Sequence, residues 1–527
     1  MKAIRSAKQS NSFPLGAFLL VVFAVLIAFV FSLKYAGVNK AEFPELVEDK
    51  QIPTPTCSHN DAFYKEPFSL TLSVSQPNKI YFTTDGSQPS LKSELYTHPI
   101  HIENRSEELN NLSMIPTSPR WKPPLGNVFK GTVVRAIAVT DDNKKGPEFI
   151  RTFFVNEKKS MPYSLPVLAL TVNTDDLFGF KKGIYVLGKN YEDKDDYIKK
   201  NRRLDLPWWE YPSNYLKRGD NAERPVHIEF IEDGELSFSH NAGVRINGNA
   251  TRGYSQKSLR ICFDEKYGTP QLNYSLFPDL PLNQFNSFVL RNSGNDWDKT
   301  MFRDAFMQSL MKGSKLDIQA YRPAIVFINA EYWGLHNIRE RFDEHYISNK
   351  YKIPTDSIVV LELGGNLFFG KKDDDKSFHS LLSFVSKKDL SKAANYEYVK
   401  EQVDVENFAD FIIANVYFCN DDWPNNNVKF WRYKTNVVKD SIGSKDGRWR
   451  WMLYDTDWGF GYTGNLAYQM NLLEKAKQTG SVGILFSALL KNDRFRELFK
   501  QRFGKWLNTT FKTEYAINRI NEMQRVL

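Results

Sequence analysis

Asn420-Asp421-Asp422-Trp423-Pro424-Asn425-Asn426-Asn427 and, further along, Tyr454-Asp455-Thr456-Asp457-Trp458-Gly459-Phe460-Gly461 are the two stretches that organise this sequence. Ahead of the first, Val405 to Cys419 carries Phe408, Ile412 and Val416 at helical spacing, which predicts a helix with Asp404 as its N-cap. Val428 to Tyr433 and Trp449 to Tyr454 read as strands. This order sets Asn427 and the acids Asp455 and Asp457 at neighbouring strand ends, beside a helix that delivers Asp422. Read singly, each stretch is an Asp- or Asn-rich turn that caps a strand. Together they match what phosphoryl transfer needs: one carboxylate to orient an attacking hydroxyl, and an Asn and an Asp to hold a metal ion against phosphate charge. Asp422 is the expected catalytic carboxylate, Asn427 a metal ligand and Asp457 the principal metal ligand. Asp455 competes with Asp457, because spacing alone does not separate them. Magnesium favours oxygen ligands and keeps several waters, so two side chains suffice.

Upstream, Arg245-Ile246-Asn247-Gly248-Asn249-Ala250-Thr251-Arg252-Gly253 precedes Lys257-Ser258-Leu259-Arg260. A Gly-containing turn feeding a strand that carries a Lys can cradle phosphates; read alone, it is a hairpin with basic residues on its surface. Strand patterns dominate to about Val289. A helix then fits Thr300 to Lys312 with Gly313 as its stop, and 322–340 reads as a hairpin turning at Ala330-Glu331. The remainder is richer in helix.

Gly243–Phe263, Leu290-Arg291-Asn292-Ser293-Gly294-Asn295-Asp296, Phe302-Arg303-Asp304, the run Ile328–Asp343 and the opening pair together resemble the spore-coat protein H (CotH) kinase family over roughly 163–465. The resemblance implies an atypical, two-lobed kinase-like fold and protein phosphorylation dependent on ATP and Mg2+ or Mn2+. It also implies that Lys257 contacts phosphate, that Arg245 and Arg252 belong to the phosphate turn, and that Glu340 lies at a hinge within reach of the nucleotide. Arg303 and Asp304 would support the lysine. The family usually has an Arg-Gly pair where this chain has Ile246-Asn247-Gly248.

Before this region, Phe68–Val74, Lys79–Thr84, Gly131–Val139 and Phe149–Val155 alternate with Gly and Asp turns, the pattern of a small antiparallel sandwich. Ile80–Ser90, with Tyr96-Thr97-His98-Pro99-Ile100 after it, resembles the chitobiase/β-hexosaminidase C-terminal-type module. Residues of about 104–127 are an insertion relative to a compact version. Asp85 reads as a turn residue.

Leu15 to Leu33 is an apolar run about 28 Å long as a helix, one hydrocarbon thickness, preceded by Lys2, Arg5 and Lys8 and no acid. The positive-inside rule then leaves the short tail cytoplasmic and everything after Lys34 outside; a cleaved signal peptide is the rival reading. The three cysteines are scattered, so neither a disulfide framework nor a Cys-based zinc site is expected. A net charge of +8 on 527 residues, without a dominant Lys/Arg block, argues against nucleic-acid binding.

The expected fold class is therefore α+β: a kinase-like two-lobed domain preceded by a small all-β (Ig-like) sandwich and an N-terminal transmembrane helix. The expected divisions are a tail 1–14, a span 15–33, a linker 34–52, a sandwich 53–156 and a kinase-like region 160–527 with lobes meeting near 340. Three functions fit. The leading one is an extracytoplasmic, membrane-anchored kinase acting on Ser/Thr of surface or coat proteins, although ATP is scarce outside the cell. The others are a surface binding or assembly protein that uses a kinase-like fold without catalysis, and a carbohydrate-active or carbohydrate-binding protein with glycan contact through the sandwich.

Overall fold

The computed structural model describes residues 48–76, 78–157, 163–435, 440–464, 466–478 and 480–527. The expected tail and the Leu15–Leu33 span lie outside these residues. Among the described residues no helix is long and apolar enough to cross a membrane.

The chain is mixed α+β and begins with a β-module. Its main sheet joins β1 (Phe63–Tyr64), β2 (Lys79–Thr83), β3 (Glu94–Leu95), β4 (Thr132–Val139) and β5 (Phe149–Val155) in the order β1-β5-β4-β2-β3. The strand expected over 68–74 is broken into Phe68–Leu70 and Leu72–Ser73, which pair with different partners. Every residue of β4 is buried. A strand's side chains alternate, so β4 serves two cores: Val134 and Ala136 pack inside the module, and Val133 packs outward. In β5, Phe153 and Val155 face the module's own core while Phe154 faces out.

What they face is a closed barrel of seven strands: β6 (Val167–Thr171), β7 (Arg224–Glu232), β8 (Glu235–Ile246), β9 (Leu259–Cys262), β10 (Ser287–Arg291), β11 (Tyr321–Ile328) and β12 (Glu331–Glu340), ordered β6-β7-β8-β9-β10-β12-β11. Only the closing pair, β6 with β11, is parallel. Leu168, Leu170, Val326 and Ile328 fill the barrel, whereas Val167, Ala169, Ile325 and Phe327 point out to meet Phe63, Val133 and Phe154. Both faces of β6 and β11 are thus covered, which is why these strands read as unbroken apolar runs. The β11–β12 hairpin turns at Asn329 and Ala330, both at positive φ, one residue before the expected Ala330-Glu331.

A buried carboxylate crosses this seam. Glu229 of β7 accepts the Thr152 N–H of β5 at 2.8 Å. Burial pushes its pKa up from 4.5 to about 7, against the hydrogen bond from Thr152 and the charge of Arg151. A carboxyl whose folded pKa is raised weakens the fold as pH climbs from the unfolded value towards the folded one. Glu229→Gln keeps an acceptor for Thr152 and removes the charge. It is expected to stabilise the protein by on the order of 1–3 kcal/mol at pH 8 and to make no difference near pH 4, read from denaturation midpoints at both values.

After the barrel comes a mostly helical lobe. Helix α1 (Arg303–Leu310), shorter than the expected 300–312, buries Ala305, Phe306, Met307 and Leu310 in this lobe's core although it lies between the barrel strands β10 and β11 in the chain. Helix α2 (Val405–Tyr417) crosses the same core and starts as expected, with Asp404 accepting the Asn407 N–H at 3.1 Å. Strands β13 (Ile358–Glu362), β14 (Lys429–Tyr433) and β15 (Arg450–Leu453) again divide their faces. Val359, Phe430 and Trp451 turn to the helices; Val360, Trp431 and Met452 turn to Phe342 and Tyr346.

Candidate active site

Helix α2 is held to β15 at its N-cap, where Asp404 pairs with Arg450 at 3.2 Å, and through Asn407. The amide of Asn407 donates to the Trp451 carbonyl at 3.1 Å and accepts the Trp451 N–H at 2.6 Å. Beyond the helix, the chain turns through Cys419 at positive φ and anchors Trp423, fully buried, edge-on against Phe411. The Trp423-Pro424 peptide bond is cis. The two consecutive acids are thereby separated: Asp421 pairs with Lys475 at 3.0 Å, while Asp422 turns to the Asn residues that follow. Its Oδ1 accepts the Asn426 amide at 2.8 Å and its Oδ2 the Asn427 amide at 2.9 Å. Asn427, itself at positive φ, also donates to the Asp455 carbonyl at 3.2 Å. With its N–H groups so used, Asn427 offers its Oδ1 as a ligand oxygen. The expected meeting of Asp422, Asn427 and the segment after β15 is present.

The acids Asp455 and Asp457 have different surroundings. Asp455 sits at positive φ, its side chain 35% exposed and bonded to Arg291. Asp457 is 1% exposed and accepts three N–H groups: Arg291 at 2.8 Å, the Asn295 backbone at 2.9 Å and the Asn295 amide at 3.2 Å. Burial, reinforced by the Asp455 charge, pushes the Asp457 carboxyl up to about 7 against the pull of Arg291. A Cβ at Gly294, whose φ is +61, would fall inside the Asp457 carboxylate, so the backbone reaches this acid only as glycine. At Gly459 a side chain would collide with Met307 and the Phe418 carbonyl. That collision explains the Gly of Asp457-Trp458-Gly459. Asp455 is the more exposed of the two acids, and its backbone carbonyl is the group that meets the Asn427 amide.

The cation facing these acids is Arg291, at the end of β10. One Nη bonds both Asp455 and Asp457. Burial opposes its charge, but Asp455, Asp304 and Asp457 together hold its pKa far above the usual range. Asp304 of α1 organises the junction between lobes. It accepts Arg339 of β12 at 2.8 Å, both N–H and O–H of Thr456 at 2.8 and 3.0 Å, and the Gln308 amide at 3.0 Å. Arg303 pairs with Asp296 at 3.1 Å and donates to the Gly459 and Phe460 carbonyls. Both residues therefore brace the segment after β15, and Asp304 also Arg291, in place of the lysine that the resemblance implied.

Lys257, the expected phosphate contact, is elsewhere. Its ammonium is fully buried and donates to three backbone carbonyls: Thr117 at 2.8 Å, Arg252 at 2.6 Å and Tyr254 at 2.7 Å, under the Tyr215 ring. Burial drives its pKa well below the ordinary lysine value. Arg252 is likewise spent on the Ile246, Gly248, Tyr215 and Lys217 carbonyls. Arg245 is bound by Glu223 at 2.5 Å and Asp220 at 2.8 Å. Glu340 does lie where the lobes meet, but its carboxylate accepts the Ala320 N–H at 2.8 Å, and burial raises its pKa to about 7. Lys257 and Arg252 have no carboxylate, and a buried cation in that position is stable only when carbonyls take up its donors; Arg245 is instead paired with two carboxylates.

Lys257→Met would leave three carbonyls without a donor, at roughly 1–3 kcal/mol each, partly offset by removing a buried charge. The expected result is a clear drop in melting temperature with nucleotide affinity of the folded protein within about threefold of wild type. A variant with wild-type stability and no affinity for ATP would return Lys257 to the phosphates.

The sequence reading passed over Arg291 and Asn295 as functional groups. The available signal was a charged residue closing the apolar run Phe288-Val289-Leu290, followed at once by Asn292-Ser293-Gly294-Asn295, a turn-forming stretch.

Residues 64–153 match the Fn3 associated family, which describes the upstream β-module. No curated protein matches the chain. Residues 244–527, from β8 through the whole helical lobe and including every acid and amide of the site, match the CotH kinase protein family. That match takes in more than half of the sequence, and the chain belongs to the CotH kinase protein family.

Proposed function

We propose that this protein is an atypical kinase that transfers the γ-phosphate of ATP to Ser or Thr of surface or coat proteins, held outside the cell by the Leu15–Leu33 anchor. The observation that carries the reading is the meeting of Asp422, Asn427, Asp455 and Arg291 at one point between the barrel and the helical lobe. Asp422 is suited to orient an acceptor hydroxyl and take its proton as oxygen bonds to Pγ and the bond from Pγ to the β-phosphate oxygen breaks, releasing ADP. Asn427 and Asp455 supply hard oxygen donors of the kind Mg2+ or Mn2+ prefers. Such an ion, when bound, offsets phosphate charge. Among the described residues no group of three or more His, Cys, Asp or Glu encloses a metal, so these two side chains would leave the remaining positions to water and phosphate.

The Nε of Arg291 is buried without a hydrogen-bond partner, 3.9 Å from Asp304, and a phosphate oxygen would complete it. Asp457 keeps its part by fixing Arg291 and Asn295.

The test is incubation of the purified chain with γ-labelled ATP and Mg2+ or Mn2+, with casein-like acceptors. Label on the acceptor or the chain itself that disappears with chelator is expected. Metal-dependent ATP binding without any label transfer would overturn the catalytic reading and favour a kinase-like surface protein.

A further inference from the structure

A cavity of about 260 Å3 opens beside Asp457, lined by Arg120, Trp208, Tyr254, Trp297, Lys299 and Tyr462 among others. It is joined to the transfer site through Asn295. The Tyr254 hydroxyl donates to the Asn295 side-chain oxygen at 2.8 Å, and the same Asn295 holds Asp457. Its walls come from five parts of the chain, including the upstream module's insertion, which supplies Arg120.

That insertion is latched in place. Glu331 of β12 accepts the backbone N–H groups of Asn111, Leu112 and Ser113. Thr117 and Ser118 hydroxyls donate to the Ser255 and Gly253 carbonyls, both at 2.7 Å, and Lys257 reaches back to the Thr117 carbonyl. The structural lysine thus ties the loop before β9 to the segment that delivers Arg120.

Both cations of the cavity rest on rings. The Arg120 guanidinium lies 4.3 Å from the Trp208 ring centre and the Lys299 ammonium 3.9 Å from that of Tyr462. Neither forms an ion pair with a described carboxylate. Stacking fixes a guanidinium by its face and leaves its edge N–H groups available. Two of the rings already carry partners: Tyr254 stacks on Trp208 at 5.9 Å, and Lys299 covers Tyr462. A flat apolar or sugar ligand would find those two platforms occupied, whereas an anionic group would find two held cations against one lining carboxylate, Asp298.

We propose that this cavity is an acceptor subsite that takes an anionic side chain, carboxylate or phosphate, flanking the Ser or Thr to be modified. The proposal rests on the kinase reading for the word acceptor, but the binding it describes is measurable without catalysis. The experiment is fluorescence anisotropy of the full chain in detergent with three labelled peptides sharing a central Ser, flanked by Glu, Ala or Lys. The Glu-flanked peptide is expected to bind at least about tenfold more tightly than the Ala-flanked one. In Arg120→Glu/Lys299→Glu this preference should vanish or invert in favour of Lys. Both side chains are exposed, and an unchanged melting temperature would confirm that the variant folds. Equal binding of the three peptides by the wild type, or an unchanged preference in the variant, would overturn the proposal. Peptide preference without label transfer would leave the subsite standing and count against the kinase reading alone.

Discussion

Asp422→Asn is expected to lower phosphate transfer by about 10²–10⁴-fold, the usual worth of a positioned general base, while ATP affinity stays near wild type. Asn preserves the shape of the side chain but cannot accept the hydroxyl proton. It also turns an N–H towards Asn426 or Asn427, both of which already donate to this carboxylate. The control is its neighbour. Asp421 is bound to Lys475, so Asp421→Asn should cost a surface ion pair and little of the transfer rate. Rates with labelled ATP, measured for both variants over a range of acceptor concentrations, decide the matter. Equal losses in the two, or a larger loss at Asp421, would show that the loop presents a different carboxylate.

Asp455→Asn is expected to reduce transfer by roughly 10³-fold or more and to raise the metal concentration needed for the residual rate, because it weakens one of two protein oxygens available to the ion. The loss of charge also removes one of the carboxylates that sustain Arg291. Asp457→Asn should behave differently. Its carboxylate is buried under three donors, and an amide cannot accept from all of them, but the substitution also removes a charge that burial disfavours, so the expected result is a shifted unfolding midpoint with the metal requirement unchanged. Metal titrations of the rate, set beside denaturation curves, separate the two acids. A shifted metal requirement at Asp457 with none at Asp455 would reverse their roles.

The elements of the site were legible in the sequence because local rules govern them. Asp404 caps α2, short runs rich in aromatic and apolar residues mark β14 and β15, and a left-handed Asn427 ends a turn rich in Asn. The choice between Asp455 and Asp457 was not legible, since it depends on Asn295 and Arg291 arriving from another lobe. Lys257 misled for a related reason. A lysine behind a Gly-containing turn looks the same in sequence whether its ammonium meets phosphate or backbone carbonyls. What decides is the Thr117 carbonyl, brought from a different module. The insertion at 104–127 was visible as an extra length of chain, but its latch to Glu331 and the loop before β9 is tertiary information. The seven-stranded closure of the barrel was equally hidden, because the parallel pairing of β6 with β11 joins segments distant in sequence.

The most direct measurement is anomalous diffraction at the manganese edge from crystals of the full chain grown with Mn2+ and a non-hydrolysable ATP analogue. The account predicts a manganese peak coordinated by Asp455 and the Asn427 side-chain oxygen, with Arg291 against the phosphates and Lys257 still bound to its three carbonyls. A peak on Asp457, or a nucleotide whose phosphates lie on Lys257 away from Asp422, would contradict it.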